Sequence, residues 1–251
     1  MNKRIMLLSA SLIMLGCVLM QSSYAQTAAS VAANVQAAVD TDAAPAWMKP
    51  DLPEDIKRNV ENKGRDLARR LQLDDDAKTK QVATLLAEHY GRLWAWHQKV
   101  DEKLNAAWSA WDDARDTSKG EKDELKALTV MVEQIDPIYA EFAPQIQGLL
   151  KQLRKQLTAE QLVALLDRIT RSPGVDRTYN AYLEMVPEMK DEEKKIIRAR
   201  LEQAREDSLA AWTDKRIVKI FKKYKVRNEF SIDYFGYGYR QRYKAWINSK
   251  K

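Results

Sequence analysis

Cysteine is almost absent: Cys17 is the only one in 251 residues. This excludes an intramolecular disulfide framework and a site built from several thiolates. Histidine is nearly as scarce. His89 and His97 stand eight residues apart, about two helical turns or ~12 Å along an axis, which is too far for both to hold one ion. No glycine-rich phosphate loop occurs, no nucleophile elbow, and no cofactor motif. No stretch alternates polar and apolar residues at strand length, and no segment repeats at solenoid spacing. Beyond the first 20 residues no apolar run approaches the ~20 residues of a membrane span. Acidic residues such as Glu184, Glu188, Glu193, Glu202, Glu206 and Asp207 fall on helical segments, where charge is ordinarily solvated. No carboxylate pair stands out for hydrolysis, so the residues point away from an enzyme and from any metal or cofactor.

What is present begins with Lys3 and Arg4, an apolar run from Ile5 to Met20, and Ser23-Tyr24-Ala25 before Gln26. A positive start, an apolar middle and small residues at −3 and −1 predict a secretory signal peptide cleaved after Ala25. Met14-Leu15-Gly16-Cys17 offers the competing layout of a lipoprotein box, with Cys17 acylated, but Met14 and Leu15 fit it poorly. Cleavage after Ala25 leaves a chain without cysteine in a periplasmic or secreted setting, and its fold must rest on a hydrophobic core. Residues 26–52 are rich in Ala, Thr, Ser and Gln and read as a disordered leader. Residues 53–251 read as a single all-helical domain.

Charge is unevenly spread. Residues 215–251 carry twelve Lys or Arg against Glu229 and Asp233 only, a balance of +10, whereas residues 26–214 sum to −6. Nine aromatics lie in the same basic stretch, from Phe221 to Trp246. Such a stretch suits an anionic glycan or lipid, or is the solvated face of an aromatic core. Export argues against nucleic acid.

Pro53 with Glu54 predicts a helix start, continuing to Leu71. Val82, Leu86, His89, Leu93, His97, Val100, Leu104, Trp108 and Trp111 then recur at three- and four-residue spacing, one helical stripe of about eight turns. Thr117 to Gly120 breaks it. Leu125, Leu128, Val132 and Ile135 restart it, Pro137 and Pro144 should bend or interrupt it, and Phe142, Ile146, Leu149, Leu150 and Leu153 carry it on. The result is an all-α fold with a long antiparallel helical hairpin packed against several shorter C-terminal helices. Those are expected from the Thr158–Gln161 capping box to Ile169, over 177–186, from a cap at Asp191, over 214–225, and over 240–248. Asn228 to Tyr239 reads as the least helical part. Trp94, Trp96, Trp108 and Trp111 are either platforms for sugar rings or core.

The C-terminal third carries a resemblance. Thr178-Tyr179-Asn180-Ala181-Tyr182-Leu183-Glu184-Met185 precedes Pro187; Ala204-Arg205-Glu206 follows; then Phe221-Lys222-Lys223-Tyr224-Lys225, Arg227-Asn228, and Gly236-Tyr237 or Gly238-Tyr239. With the Leu71-Gln72-Leu73 start and the Leu157–Gln161 cap, this order resembles a family of exported bacterial proteins defined as a domain of unknown function with a proposed sugar-binding role. The chain departs from it at Thr170-Arg171-Ser172-Pro173-Gly174, where Thr-Tyr-Gly is expected, and at Val226, where glycine is expected. The resemblance implies a non-enzymatic carbohydrate-binding protein, with an acidic oligosaccharide suited to the basic segment. In that reading Arg205, Lys225 and Arg227 hold a carboxylate, Tyr179, Tyr182 and Tyr224 stack on rings, and Asn228 and Glu206 bond hydroxyls. Leu157-Thr158-x-x-Gln161 is similar to the short repeat of small helical periplasmic stress chaperones. That implies the alternative function, a chaperone-like or envelope scaffold protein holding polypeptide partners.

Overall fold

The computed structural model describes residues 45–116, 118, 123–170 and 174–250. The signal peptide over 1–25, Cys17, and the leader as far as residue 44 lie outside the described residues. So do Lys119, Gly120 and the Ser172-Pro173 turn. Every regular element among the described residues is helical, and none of these helices is long and apolar enough to cross a membrane.

The last part of the expected leader is structured. A 3-10 turn, Ala46–Met48, buries Trp47 against the Phe142 ring at 5.5 Å, and Arg92 Nε donates to the Met48 carbonyl at 3.2 Å. Helix α1 is Glu54–Arg69 and α2 is Asp76–Ala114. Gln72, between them, takes φ +50°. Asp75 caps α2 by accepting from the Lys78 N–H at 3.0 Å. A side chain on Gly64 would lie 2.4 Å from the Ala83 carbonyl oxygen, and one on Gly91 would meet Leu52 at 2.9 Å. The two backbones therefore approach closely, and α1 runs antiparallel along the first half of α2.

All nine residues of the predicted stripe on α2 are buried, from Val82 to Trp111. Trp96, off that stripe, is fully buried too, with its ring 4.9 Å from Phe142. A helix of 39 residues, with partners on more than one side, buries more than a single seam.

The second arm of the hairpin comprises α3 (Glu124–Val130), a π turn (Met131–Ile135) and α4 (Asp136–Gln156). Its antiparallel pairing with α2 is marked by Arg115–Glu124, Trp108 Nε1 to Tyr139 Oη at 3.4 Å, and Lys99–Glu141 at 3.2 Å. The expected stripe here is partly wrong. Leu125 and Val132 are exposed, and Ala127, Val130, Met131 and Ile135 face the core. The small Ala127 sits where two helices come close, and the π turn alters the register by one residue. Pro137 follows that turn. It has no N–H to return to Glu133, and the wider turn accommodates it. The helix continues through Pro144 without a break.

Beyond the hairpin lie α5 (Ala159–Ile169), α6 (Gly174–Met185), α7 (Asp191–Asp207), a 3-10 turn (Ser208–Ala210), α8 (Asp214–Tyr234) and α9 (Tyr239–Ser249). The Thr158–Gln161 box is formed in both directions, at 3.2 and 3.0 Å. The cap of α7 is Lys190, whose N–H donates to Glu193 at 2.9 Å, and Asp191 is the first helical residue rather than the cap. The expectation that Asn228–Tyr239 is largely non-helical is overturned as far as Tyr234. Asn228 and Ile232, four apart, face inward on α8. The glycines act after that point: Gly236 at φ +91° allows Tyr237 N–H to reach the Ile232 carbonyl at 3.1 Å and Gly236 N–H to reach Asp233 at 2.9 Å, a Schellman stop.

Two hydrophobic clusters result. The larger joins α1 to α5 with the start of α8; the smaller joins Tyr182, Met185, Val186, Ile197, Leu201 and Ile232 of α6 to α8. The basic C-terminal stretch closes on upstream acids: Lys219 on Asp112, Lys223 and Arg227 on Asp136, Arg242 on Glu188 and Lys250 on Glu184.

Candidate functional site

His97, Asp101, Asn105, Trp108 and Asp112 stand four, four, three and four residues apart on α2. This spacing puts them along one edge of the helix. Opposite them lie Trp212 and Thr213 of the link into α8, and Lys215, Arg216 and Lys219 of its first turns. Together with Ser109 these residues line a groove of about 390 Å³, within the ~300–1,000 Å³ range of ligand sites.

The two histidines hold the link in place. His89 Nε2 lies 3.0 Å from the Leu209 carbonyl, and His97 Nε2 lies 3.0 Å from the next carbonyl, Ala210. Both carbonyls accept. Burial pushes His89 down to about 4, so it is the neutral ring that donates. His97 Nδ1 also lies 2.7 Å from Asp101 Oδ1. Thr213 caps α8 by accepting from the Arg216 N–H at 3.3 Å. The link thus leaves the 3-10 turn with its direction fixed, and presents Trp212 half-buried at the groove.

Charge in the groove is unevenly compensated. Asp101 faces His97, and Asp112 accepts from Lys219 at 2.5 Å. Arg216 donates through Nη2 to a neutral acceptor, Asn105 Oδ1, at 2.6 Å, with its guanidinium 5.8 Å from the Trp108 ring centre. Lys215 is exposed at the rim. Among the described residues no cluster of three or more His, Cys, Asp or Glu could hold a metal.

None of the eight residues expected to bind ligand lines this groove. Tyr224 and Arg227 do come together. The guanidinium lies 5.3 Å from the ring centre, and Arg227 donates to Asp136, which also takes Lys223 Nζ at 2.7 Å. Tyr224 Oη donates to Asp207, and burial pushes its hydroxyl well up. Lys223 is 2% exposed, so this is an interior network joining α4, α7 and α8. Tyr182 is core: its hydroxyl donates to the Lys225 carbonyl at 3.4 Å and is raised by burial. Lys225 contributes that carbonyl and keeps its side chain exposed. Asn228 is fully buried and donates to the Ile197 carbonyl at 3.3 Å. Arg205 pairs with Asp167 at 3.2 Å and Glu206 with Arg154 at 3.4 Å, both across helices. Tyr179 lies under Arg198, 5.3 Å from its ring centre.

Sequence reasoning did not single out Trp212, Asn105, Asp112, Lys215, Arg216 or Lys219 as a site. The stripe through His97, Trp108 and Trp111 was legible, but its polar edge was one of several. Nothing local indicates that α8, a hundred residues on, lies across it.

A family profile described as a protein of unknown function, DUF3826, matches residues 57–251. The chain belongs to the DUF3826 family. Its matched region runs from the first turn of α1 through α9, so the hairpin, the groove and the interior network all lie in DUF3826 sequence. No curated protein matches the chain.

Proposed function

We propose that this DUF3826 protein is an exported, non-enzymatic carbohydrate-binding protein, and that its ligand lies in the groove between α2 and the start of α8. The observation that carries this reading is the composition of that groove. Two indoles line it, the half-buried Trp212 and the buried Trp108, beside hydrogen-bonding side chains of both kinds: Asn105, Ser109, Asp101 and Asp112 on one wall, Lys215, Arg216 and Lys219 on the other. Sugars are bound by that combination of aromatic face and polar edge. The spacing of the acids supports binding over hydrolysis. Asp101 and Asp112 are eleven residues apart on one helix, ~16 Å along the axis, whereas glycosidase carboxylates stand within ~10 Å.

A glycan panel read by calorimetry tests the reading. Saturable binding lost on Trp212→Ala, with the thermal transition retained, supports it. Binding that survives Trp212→Ala places the ligand elsewhere, and no binding to any glycan ends the proposal. Export is tested by N-terminal sequencing of the protein from the producing cell, where Gln26 is expected first. An acylated Cys17 would show lipoprotein processing instead.

The chaperone-like alternative requires one broad apolar surface. The exposed large apolar side chains Leu125, Val132, Val163, Ile196, Val218, Phe230, Tyr234 and Tyr243 are spread over α3, the π turn, α5, α7, α8 and α9, which supports the groove over a client surface.

A further inference from the structure

The charge pattern of the groove goes further than its shape. Each carboxylate there already has a partner: Asp101 lies 2.7 Å from His97 Nδ1, and Asp112 accepts from Lys219. Among the described residues Arg216 has no carboxylate partner. Asn105 takes one of its five N–H donors and adds no charge. The guanidinium is still held in place, by that bond and by the Trp108 ring beneath it. Its charge is felt at the Tyr139 hydroxyl in the core, where it works against the upward push of burial. Lys215, one residue earlier on α8, adds a second cation at the rim.

From this the geometry points to a carboxylate-bearing sugar, a uronate unit of an acidic oligosaccharide, as the ligand, with Arg216 as its specificity-determining residue. The inference rests on the carbohydrate-binding reading of the same groove. A planar carboxylate matches the guanidinium fork in two parallel hydrogen bonds, and a hydroxyl does not. The guanidinium is fixed before the ligand arrives, so little side-chain freedom is lost on binding. Trp212 carries the ring, and Lys215 adds attraction at the entrance. A neutral sugar in the same place would leave the Arg216 guanidinium without a charged partner.

The test compares an oligogalacturonate with its fully methyl-esterified form, the same backbone without the charge, at fixed moderate salt. The free acid is expected to bind about tenfold tighter or more, the range of one charge-assisted pair. Arg216→Gln should remove most of the acid's advantage over the ester, lowering acid binding far more than ester binding. Lys215→Gln changes an exposed side chain at the rim; it should weaken the acid several-fold and make its binding less salt-dependent. Lys244→Gln, outside the groove, should change neither.

Equal affinity for acid and ester, with Trp212 still required, overturns the uronate assignment and leaves the carbohydrate reading standing. Binding of neither overturns both. Acid binding weakened alike by Lys215→Gln and Lys244→Gln overturns the assignment, because a general basic surface would then account for it.

Discussion

His89 is buried without charge, and protonation must break either its neutrality or its burial. Its folded value, about 4, lies below the ordinary 6.5 of a free histidine. Between those values the unfolded chain binds the proton and the folded one does not. Stability from this residue is therefore complete above pH 6.5 and declines as the pH falls toward 4. The loss is on the order of 3 kcal/mol, at 1.36 kcal/mol per pH unit. His89→Gln retains a donor for the Leu209 carbonyl and should flatten urea-derived stability between pH 6.5 and 4; an unchanged slope would remove His89 as the cause. Asp136 behaves differently. It is the shared carboxylate of Lys223 and Arg227, and Lys223 is 2% exposed. Asp136→Ala strands a buried ammonium and should cost on the order of 3 kcal/mol. Adding Lys223→Met should recover much of that in denaturant titrations. The tyrosines and arginines of the C-terminal blocks make interior contacts in the fold. Tyr182, Tyr224, Arg227 and Asn228 are the residue types of a binding pocket, and here Tyr182 and Asn228 donate to backbone carbonyls while Tyr224 and Arg227 donate to Asp207 and Asp136.

At the scale of elements, helix type and order were legible because hydrophobic spacing is local. The stripe on α2, the Thr158 box and the segment after Pro187 each carried their own signal. What was not legible depended on a neighbour. Ala127 is a core position because a second helix comes close there, and its small side chain gave no hint of it. Asn228–Tyr234 is helical because Asn228 and Ile232 pack inward, against the apparent message of the glycines beyond. Gly64 shows the same dependence in reverse. A β-carbon there would meet the Ala83 carbonyl at 2.4 Å and the Ala87 nitrogen at 3.0 Å, both backbone atoms. Gly64→Ala gains helix propensity of ~1 kcal/mol and still should destabilise by about 2 kcal/mol or more, since α1 must move off α2. A melting temperature equal to or above that of the parent would contradict the close approach.

For the whole molecule, the candidate groove could not be read from the chain because its two walls are some hundred residues apart in sequence. The charge asymmetry was legible, but its meaning was not. The basic segment returns to Asp112, Asp136, Glu184 and Glu188, and much of its excess is consumed in closing the fold. The last helix contributes least. No residue of α9 is fully buried, and its ties are Tyr239 on Glu229, Trp246 on Glu184 and the two ion pairs of Arg242 and Lys250. A chain ending at Gly238 should still unfold in one cooperative step, at a transition lower by several degrees. Loss of the transition would assign α9 to the core.

The π turn at Met131–Ile135 has a bearing on descent. A turn of this kind holds one residue more than an α-helix needs, while both flanks keep their inward faces. The second arm of the hairpin can thus be viewed as an ordinary helix that once gained a codon. Reversing that step, by removing Val132 together with Pro137→Ala to free the backbone, should give a folded protein. Removing Gln147, in the regular part of α4, would turn every later side chain by ~100° and leave the protein unfolded. The hairpin would then carry, at one known place, a record of its own lengthening.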